Sequence, residues 1–417
     1  MLEERTVLLV DENKEVIDEL ILRLNKELEN INIITAYNFK DATKYILDKN
    51  LVIHVAVIDV GIANSVIRFT TKSEIPTIIV ADVMNDETKD IISKYHILDY
   101  VIKENKKYFH QVAYSINRIL KNYSTNILVV DDSKLQLKAA VDMLKKNKLN
   151  ITTASDGVEA YKIMQKNKDF FSLVLTDYNM PNMDGLELTL KIREDYDKDE
   201  LGIIVLSANS SPEIPSEFIK MGANDFINKP YSQIEVSTRV NSNLDILELF
   251  QQTRDMANKD FLTGSYNRRY FYDSGQAIFS KARRDKRDLC VAMFDIDKFK
   301  NINDTYGHDV GDVAIKEIAK ILNANLRESD LLARFGGEEF CVLLENISID
   351  DSERLFEKIR LAFEVNVLET FTHTIQYTVS IGVCYGMEDD LDAMIKKADE
   401  GLYFCKNNGR NQVAINR

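Results

Sequence analysis

Two acidic residues in the last third of the chain follow segments that are expected to form strands. Asp295 follows the apolar run LCVAMF, and Glu338 follows Gly336 and Gly337 in RFGGEEF. If the two strands pair, Asp295 and Glu338 approach each other. Two carboxylates and the backbone carbonyl of Ile296 would suit a divalent metal that carries a nucleoside triphosphate. The spacing indicates chemistry on phosphate groups.

The glycine pair and two basic residues fit the same chemistry. Gly336 and Gly337 predict a hairpin turn, because tight hairpin turns need positive φ angles, and their missing side chains let phosphates approach the backbone. Lys406 and Arg410, four residues apart in CKNNGRNQ near a helix C-terminus, could both face terminal phosphates. Taken alone, these two cations would be read as a solvated helix end that complements the helix dipole.

A second set of acids lies near the middle of the chain. Asp131 and Asp132 follow the apolar run ILVV, and Asp177 follows SLVLT. Carboxylates at neighbouring strand ends repel each other unless a cation lies among them, so this set predicts a Mg²⁺ site. Asp177 could then attack a phosphoryl group, with Lys229 and Ser207 holding the transferred oxygens. Acids at strand ends and a Lys-Pro turn are individually common on α/β surfaces, but here they occur in order.

The pattern around these acids occurs twice in the first 245 or so residues. Asp11 and Glu12 end an earlier apolar strand, Asp59 follows HVAVI, and Lys103 follows an Asp-Tyr pair. Asp11 and Asp59 are 48 positions apart, and Asp131 and Asp177 are 46 apart. Strands that alternate with helices predict a doubly wound parallel sheet of the flavodoxin-like kind in each copy, with ligands at the carboxyl ends of the strands.

The first copy departs from the second at several positions. Glu12 replaces the second aspartate, VIDVGIAN lacks the Met-Pro and the Gly that follow Asp177, and IIVAD has no Ser or Thr at the position of Ser207. Asp59 and Lys103 persist, so weak or conditional phosphorylation of Asp59 stays open. We favour the interpretation that residues 1–123 serve mainly as an adaptor for dimer packing.

The remainder of the chain changes character. From Ser242 to Lys259 it is polar with spaced apolar residues, which predicts a connecting helix. Beyond Asp260 the order of elements is mixed α+β. The further elements that we predict there are helix Val313 to Leu326, strand Thr374 to Tyr385 and helix Leu391 to Lys406.

Composition excludes several classes of protein. The chain has 417 residues, a formal charge of −14 and no Lys/Arg-rich block, so we expect no nucleic-acid partner. The four cysteines show no CxxC pair, which argues against disulfides and zinc. No basic segment precedes a long apolar stretch, and no run reaches the roughly 18 apolar residues of a membrane span. We therefore expect a cytoplasmic protein without a membrane span.

Residues 126–245 resemble the receiver domain of two-component response regulators, through VVDDS, LTDYNMPNMDG, LSAN and FINKP. The resemblance implies that Asp177 is phosphorylated by a sensor histidine kinase or a phosphotransfer protein. The Mg²⁺ ligands that it implies are Asp131, Asp132, Asp177 and the backbone carbonyl of Asn179. The switch residues that it implies are Ser207, Phe226 and Lys229.

Residues 260–417 resemble the GGDEF diguanylate cyclase domain, which has a nucleotide-cyclase-like fold. The signature reads GGEEF at Gly336–Phe340, and DFLTGSYNRR resembles the family's first motif, with Ser265 where leucine is usual. The implied ligands of Mg²⁺ or Mn²⁺ are Asp295, Ile296 and Glu338. The implied catalytic residues are Asp295, Glu338 and Glu339. The implied substrate contacts are Asn303 and Asp312 for guanine, Phe299 and Lys300 along the nucleotide, and Gly336, Gly337, Lys406 and Arg410 for phosphates.

The same resemblance implies the reaction and its control. Two GTP molecules are converted to cyclic di-GMP and two pyrophosphates by a homodimer, because each domain binds one GTP. Asp297 and His308 match the family pattern, and for each a structural and a direct role stay open. RESD at Arg327–Asp330 matches a product-inhibition site for cyclic di-GMP, and a local ion pair at a helix end is the simpler alternative.

The predicted architecture is a multidomain α/β protein. Its bounds are 1–123 for the degenerate receiver, 124–245 for the phosphoacceptor receiver, 246–259 for a linker helix and 260–417 for the GGDEF domain. One alternative is a GGDEF domain that has lost catalysis and acts as a receptor for cyclic di-GMP or GTP. Another is a response regulator that works by protein contact alone and needs none of the acids around Glu338.

Overall fold

The computed structural model describes residues 4–95, 97–104, 107–208, 213–370 and 373–417. The chain divides into two compact units, one ending at Gln251 and the other beginning at Gln252. The first unit contains both copies of the repeated pattern, and the second contains the mixed α+β region.

The N-terminal domain is a five-stranded parallel sheet in the order β2-β1-β3-β4-β5, covered by helices on both faces. Its strands are β1 Arg5–Val10, β2 Ile31–Ala36, β3 Val55–Asp59, β4 Thr77–Ala81 and β5 Asp99–Ile102. Its helices are α1 Lys14–Glu27, α2 Phe39–Ile46, a 3₁₀ turn Val60–Ile62, α3 Ala63–Lys72, α4 Asp86–Lys94 and α5 Tyr108–Asn122.

The second domain repeats this topology, with the order β7-β6-β8-β9-β10. Its strands are β6 Asn126–Val130, β7 Asn150–Ala154, β8 Leu173–Asp177, β9 Gly202–Ser207 and β10 Asp225–Asn228. Its helices are α6 Lys134–Lys146, α7 Gly157–Lys166, α8 Gly185–Arg193, α9 Glu213–Met221 and α10 Gln233–Asn258. The apolar runs that mark β6 and β8 are fully buried, as expected for central strands covered on both faces. The predicted doubly wound sheets are confirmed.

Helix caps direct the chain away from the acidic strand ends. Asn13 caps α1 by accepting a hydrogen bond from the Glu15 amide, and Ser133 caps α6 through the Gln136 amide. Each cap follows an acid pair directly, so the helix turns away and the acids stay at the carboxyl edge of the sheet.

Helix α10 changes the predicted boundary between the second domain and the linker. The helix runs from Gln233 to Asn258 without interruption, and Val236, Val240 and Leu244 in its first half are buried against the second domain. The predicted linker helix 246–259 is therefore the second half of a longer helix. The apolar periodicity of the segment marked a helix correctly but could not show that it begins inside the receiver.

The two N-terminal domains contact each other through α5 and α10. Arg118 on α5 is only 3% exposed, and its Nη1 lies 3.1 Å from Asp245 Oδ1 and 2.6 Å from Glu248 Oε1. Lys121 Nζ lies 2.5 Å from the other oxygen of Glu248. Burial raises the pKa of Glu248, but the hydrogen bonds from Lys121 and Arg118 outweigh it, and the net shift is downward. The contact is thus built from charges that neutralise each other.

The C-terminal unit has one six-stranded mixed sheet in the order β11-β13-β14-β12-β17-β18. Its strands are β11 Tyr266–Asn267, β12 Leu289–Ile296, β13 Leu331–Gly336, β14 Glu339–Glu345, β15 Val367–Glu369, β16 Thr374–Gln376, β17 Val379–Tyr385 and β18 Val413–Asn416. Its helices are α11 Arg268–Asp285, α12 Phe299–Tyr306, α13 His308–Asn325, α14 Ile349–Val365 and α15 Leu391–Asn407.

Two predicted elements of this unit need correction. The single strand expected from Thr374 to Tyr385 is two strands: β16 pairs with β15 in a separate small sheet, and β17 pairs with β12. The helix expected from Val313 begins earlier, at His308, where Gly307 separates it from α12 with a φ of 87°. A periodic apolar face marks only the part of a helix that packs on the core, so its polar first turn was missed.

The central strand β12 separates two cores. Cys290, Ala292 and Phe294 face the core under α12, α13 and α14, whereas Val291 and Met293 face the core under α11 and α15. By this alternation Asp295 belongs to the second face. The four cysteines are buried, and each has a free thiol. Within the part of the chain that the structure describes, no helix is both long and apolar enough to cross a membrane.

Candidate functional site

Asp295 lies at the end of β12 in the middle of the sheet. It is opposite Glu339 of β14 on one side and Ser380 of β17 on the other, and it is only 5% exposed. Its Oδ2 lies 2.7 Å from Nζ of Lys406 on α15. The structure thus places Lys406 beside the carboxylate rather than only near a phosphate position.

The charge balance around Asp295 favours a further cation. Burial raises the pKa of Asp295 to about 6, the hydrogen bond from Lys406 opposes this, and the charges of Glu338 and Glu339 add to it. Asp295 is therefore paired with one ammonium group and lies under the negative charge of two further acids. A divalent cation would relieve their repulsion, and oxygen ligands are the type that Mg²⁺ and Mn²⁺ prefer.

Both acids of the signature lie near enough to Asp295 for their charges to raise its pKa. Strands β12 and β14 pair as expected, and their register places Glu339 opposite Asp295 and Glu338 in the turn between Gly336 and Glu339. No three acidic, histidine or cysteine side chains among the described residues form a ready-made metal cage. The predicted donor set is two carboxylates and the Ile296 carbonyl, and such a small set would leave coordination positions for phosphate oxygens.

The predicted hairpin is present and open. Gly336 and Gly337 have φ angles of 155° and 51°, and no atom lies within 4 Å of the place where a Cβ would stand on either residue. This empty space beside the acids is what a phosphate chain needs to approach the backbone.

Sequence reasoning missed Arg334, which holds the hairpin in place. Its Nε and Nη2 donate to the Gly337 carbonyl at 2.9 and 2.8 Å, and its Nη1 donates to Asp260 at 2.9 Å. Burial raises the pKa of Asp260, but the hydrogen bonds from Arg334 and Thr263 outweigh it and lower the pKa overall. The only signal in the sequence was an arginine two residues before the glycine pair.

The residues implied for the base lie on α12 and α13. Phe299 is 8% exposed and packs in the core, while Lys300 and Asp312 are exposed. Asn303 is half-buried, and its side-chain oxygen Oδ1 is buried without a hydrogen-bond partner among the described residues. A buried carbonyl oxygen that lacks a donor is costly, so this atom is suited to accept an N–H group from a ligand.

Asp297 has a positioning role. Its carboxylate accepts hydrogen bonds from Thr378 Oγ1 and Ser380 Oγ, both at 2.7 Å, and from the Asn411 amide at 2.9 Å. These bonds tie the end of β12 to β17 and to the loop that carries Arg410. His308, the other residue left open, is exposed at the first position of α13.

Arg410 does not continue the helix of Lys406. Helix α15 ends at Asn407, and Arg410 follows in a left-handed conformation with a φ of 65°. Its amide donates to the Cys405 carbonyl at 2.9 Å, and its side chain is exposed. Lys406 and Arg410 therefore do not share a helical face, because a turn after the end of α15 separates them.

The second acidic site is assembled at the carboxyl edge of the second sheet. Nζ of Lys229 lies 3.0 Å from Asp131 Oδ2 and also contacts Asp177. The Asn179 amide donates to Asp177 Oδ2 at 3.1 Å. Burial raises the pKa of Asp177, and Lys229 opposes this. Asp132 is exposed beside the pair.

The two switch residues occupy neighbouring strands. Ser207 ends β9 and is 2% exposed, and Phe226 lies on β10 opposite Val205. Both lie at the carboxyl half of the sheet, near Lys229, whose amide donates to the Ser207 carbonyl at 2.7 Å. Ser207 thus directly follows the strand partner of Asp177, and Lys229 contacts Asp177 itself.

Two family models match the parts of the chain that carry these sites. Residues 257–412 match the model described as diguanylate cyclase, GGDEF domain, and residues 127–241 match the response regulator receiver domain. The chain contains a receiver domain followed by a GGDEF domain. The N-terminal domain is receiver-like by its strand order.

Individual relatives agree with this domain content. The response regulator PleD of Caulobacter vibrioides is 29% identical over 307 residues, which are 69% of this chain and 65% of PleD. A diguanylate cyclase of Vibrio cholerae is 34% identical over 184 residues, 44% of this chain and 56% of that protein. The matches thus span less than two thirds of either relative.

A solved structure shares the combination of domains. A crystal structure of a two-component system response regulator/GGDEF domain protein is 26% identical, with a TM-score of 0.51. The match covers 58% of this chain and 99% of that structure.

A cavity of the GGDEF domain contains the predicted product-inhibition residues. Arg327 and Asp330 line a cavity of about 270 Å³ together with Arg354 and Lys358. Asp330 accepts a hydrogen bond from the backbone amide of Arg327 at 2.8 Å, and burial raises the pKa of Asp330. The Arg327 guanidinium is exposed, and its positive charge opposes the rise in the pKa of Asp330.

The receiver-like domain retains part of the receiver site. Lys103 contacts Asp59 and lies 3.5 Å from Asp11 and 3.7 Å from Asp82. The Gly61 amide donates to Asp59 Oδ2 at 2.7 Å, where the receiver uses Asn179. Burial raises the pKa of Asp11. The lysine and the acids are therefore in place even though the surrounding motif has diverged.

Proposed function

We propose that this chain is a response regulator whose GGDEF domain converts two GTP molecules into cyclic di-GMP and two pyrophosphates. The observation that carries the proposal is the group formed by Asp295 and the two acids that act on it, Glu338 and Glu339. This group lies next to an open glycine hairpin and Lys406. A domain that had lost catalysis would have no need to keep a buried acid of raised pKa beside two further carboxylates.

The residues have distinct roles in this reaction. Asp295, Glu338 and the Ile296 carbonyl would hold Mg²⁺ or Mn²⁺, and Glu339 would add negative charge beside them. Such a metal, when bound, would supply positive charge for the phosphate oxygens and for the attacking hydroxyl, whose pKa it would lower. Lys406 and Arg410 neutralise the terminal phosphates. A ribose 3′ oxygen attacks the α-phosphorus of the second GTP, the bond to the β-phosphate oxygen breaks, and pyrophosphate leaves.

Hydrogen-bond acceptors on the protein would select guanine over adenine. Oδ1 of Asn303 and the carboxylate of Asp312 would accept hydrogen bonds from the N1–H and 2-amino groups of the base. Phe299 would pack beneath these two acceptors from the core, and the exposed Lys300 would lie at the edge of the base site. Adenine offers an acceptor at N1 and no amino group at C2, so it would leave these oxygens without donors.

Catalysis requires two copies of the chain, because each GGDEF domain would hold one GTP. Support comes from α10, where Ile246, Leu249 and Phe250 are 49%, 61% and 48% exposed, and Met256 further along is 81% exposed. Leu249 and Phe250 lie three and four residues after Ile246, Met256 lies seven residues after Leu249, and none of the four is among the buried residues of the helix. Pairing of this stripe with the stripe of a second copy would form a homodimer.

The receiver supplies the input. A sensor histidine kinase or phosphotransfer protein would phosphorylate Asp177, with Mg²⁺ held by Asp131, Asp132, Asp177 and the Asn179 carbonyl. Ser207, Phe226 and Lys229 would respond to the new phosphoryl group, and α10 begins in the same domain. Residues 1–123 would act mainly as an adaptor in dimer packing.

Cyclic di-GMP would act as an inhibitor as well as a product. The exposed Arg327 guanidinium and Asp330 match the inhibitory motif, and Arg354 and Lys358 line the same cavity with further positive charge. Two phosphates of a cyclic dinucleotide need at least two cations, which this cavity offers.

One assay tests the proposed activity. The purified chain, untreated and treated with a small phosphodonor, is incubated with GTP and Mg²⁺, and products are separated by chromatography. We expect cyclic di-GMP and pyrophosphate, and we expect Glu338→Ala to abolish both. Glu400→Ala, an exposed acid on α15, is the matched control and should retain activity. A phosphorylated wild-type protein that binds GTP but forms no product would establish the receptor function instead.

A further inference from the structure

Helices α12 and α13 pack closely at Gly311. A Cβ on Gly311 would lie 1.9 Å from Asn303 Oδ1, 3.1 Å from Asn303 Cγ and 3.2 Å from Phe299 Cζ. Real Cβ atoms do not come as close as 1.9 Å to another heavy atom, so any side chain at this position must displace the carboxamide of Asn303. Gly311 is the fourth residue of α13 and is buried.

Backbone conformation does not explain this glycine. Gly311 lies inside a helix and is absent from the residues with positive φ. Glycine destabilises a helix interior relative to alanine, because it loses more conformational freedom on folding. The helix would therefore be more stable with alanine if the space were free. The neighbouring side chain, not the backbone, is what alanine would disturb.

The displaced group would be a recognition group. Oδ1 of Asn303 is buried without a hydrogen-bond partner among the described residues, so its orientation is not held by a donor from the protein. The oxygen instead lies in the space that a side chain on Gly311 would fill. Asp312, the second acceptor assigned to guanine, directly follows Gly311 in the chain.

We propose that Gly311 is a positioning residue for base selection: its missing side chain forms the space in which the Asn303 carboxamide presents its oxygen to the 2-amino group of guanine. This inference rests on the proposed function, because it takes a guanine nucleotide as the ligand. Gly311 itself touches no part of the nucleotide and acts through Asn303.

Inosine triphosphate tests the geometry, because it lacks only the 2-amino group. Affinities of the full-length protein for GTP and ITP are measured by calorimetry with Mg²⁺. We expect the wild type to prefer GTP and Gly311→Ala to reduce that preference about tenfold, the order of one lost hydrogen bond. Gly275→Ala is the matched control, since the nearest atom to its Cβ would be the flexible end of Leu391 at 2.9 Å, in another part of the domain. It should leave the preference unchanged.

A double-mutant cycle separates this role from general helix packing. In an Asn303→Ala background the clash is gone, so Gly311→Ala should raise the melting temperature through helix propensity and should not change nucleotide affinity. In the wild-type background the same substitution should lower the melting temperature. A change of the same sign in both backgrounds, or an unaltered GTP to ITP ratio in Gly311→Ala, would overturn the inference.

The outcomes also separate this inference from the proposed function. If the wild type binds no guanine nucleotide, both the proposed function and the role of Gly311 are wrong. If the wild type makes cyclic di-GMP while Gly311→Ala keeps the full preference for GTP over ITP, only the role of Gly311 is wrong. The double variant provides a folded reference if Gly311→Ala alone does not fold.

Discussion

The two N-terminal domains have the same scaffold and different chemistry. Both sheets have the strand order 2-1-3-4-5, and in both a lysine after the last strand contacts an acid at the end of the third. In both, a backbone amide two residues beyond the acceptor donates to its carboxylate. The fold and the acid-lysine contact have thus been kept together, although other positions have changed.

The strand registers locate the main change. Asp59 pairs with Val80 and Asp177 pairs with Leu206, so the next residue along the fourth strand is Ala81 in one domain and Ser207 in the other. The receiver-like domain therefore lacks the hydroxyl that would hold a phosphoryl oxygen. An acid-lysine pair can persist for structural reasons, whereas the hydroxyl is needed only when a phosphoryl group is present.

The two domains also differ in what they contact. Helix α5 of the receiver-like domain contacts α10 of the receiver through Arg118 and Lys121. The N-terminal domain thus holds the helix that leaves the receiver. The N-terminal domain thus lacks the serine of the receiver but supplies one side of the contact at α10.

Removing each acceptor gives the largest expected difference between the domains. Asp177→Asn should abolish stimulation of cyclic di-GMP synthesis by a small phosphodonor, because the amide cannot be phosphorylated. Asp59→Asn should leave most of the stimulation. The ratio of rates with and without phosphodonor measures both. Equal or reversed effects would show that the ranking of the two domains is wrong.

Breaking the contact between the domains should cost stability rather than phosphorylation. Arg118→Leu removes a buried cation from two acids and should lower the stability of the α5 and α10 contact by about 2 kcal/mol. Arg239→Leu is the control, because its ion pair with Asp225 is half exposed and should cost at most about 0.5 kcal/mol. Hydrogen exchange of the amides in α5 and α10 measures both. Similar losses of stability in the two variants would show that the buried ion pairs of Arg118 contribute no more than an exposed ion pair.

A pH series contrasts the receivers with the GGDEF domain. Because burial raises the pKa of Asp295 to about 6, Mg²⁺ affinity at that site should fall about tenfold between pH 7 and pH 5. In the absence of metal, folding stability should change with pH in the opposite direction to Mg²⁺ affinity. A raised carboxyl pKa stabilises the folded state below the unfolded value, and this stability is lost as pH rises through about 6.

The control for the pH series is Asp295→Asn. This substitution should remove the pH dependence of stability contributed by Asp295 and leave that of Asp11, Asp177 and Asp330, whose pKa values are also raised by burial. Metal binding is followed by calorimetry and stability by thermal unfolding. An unchanged pH profile in the variant would assign the titration to another acid.

Exchanging the switch residues should give the smallest effect. Ser207→Ala should keep Asp177 phosphorylated but weaken the activation that follows, because one hydrogen bond to the phosphoryl group is lost. Ala81→Ser should increase the lifetime of any phosphorylation at Asp59 without making it an efficient acceptor, because Glu12 and the altered loop remain. Intact-mass measurements over time follow both. Full activation of Ser207→Ala would show that the serine hydroxyl is not what makes the two domains respond differently.

The sequence by itself determined the repeat, the doubly wound sheets, the glycine hairpin and the identity of the acids. These features are local, because a strand, a turn and the residue that follows a strand are set by neighbouring positions in the chain. Parallel strands bring their carboxyl ends to one edge, so the strand pattern alone was enough to group Asp131, Asp177 and Lys229.

Only the tertiary structure decided which of these residues meet. Asp295 faces Glu339 and Lys406, and Arg334 joins the hairpin to Asp260. The Asn303 carboxamide occupies the space beside Gly311, and α10 runs unbroken out of the receiver. The physical reason is that strand register and helix packing arise from the filling of shared cores by residues distant in the chain. The spacing of residues along the sequence therefore cannot predict strand register or helix packing.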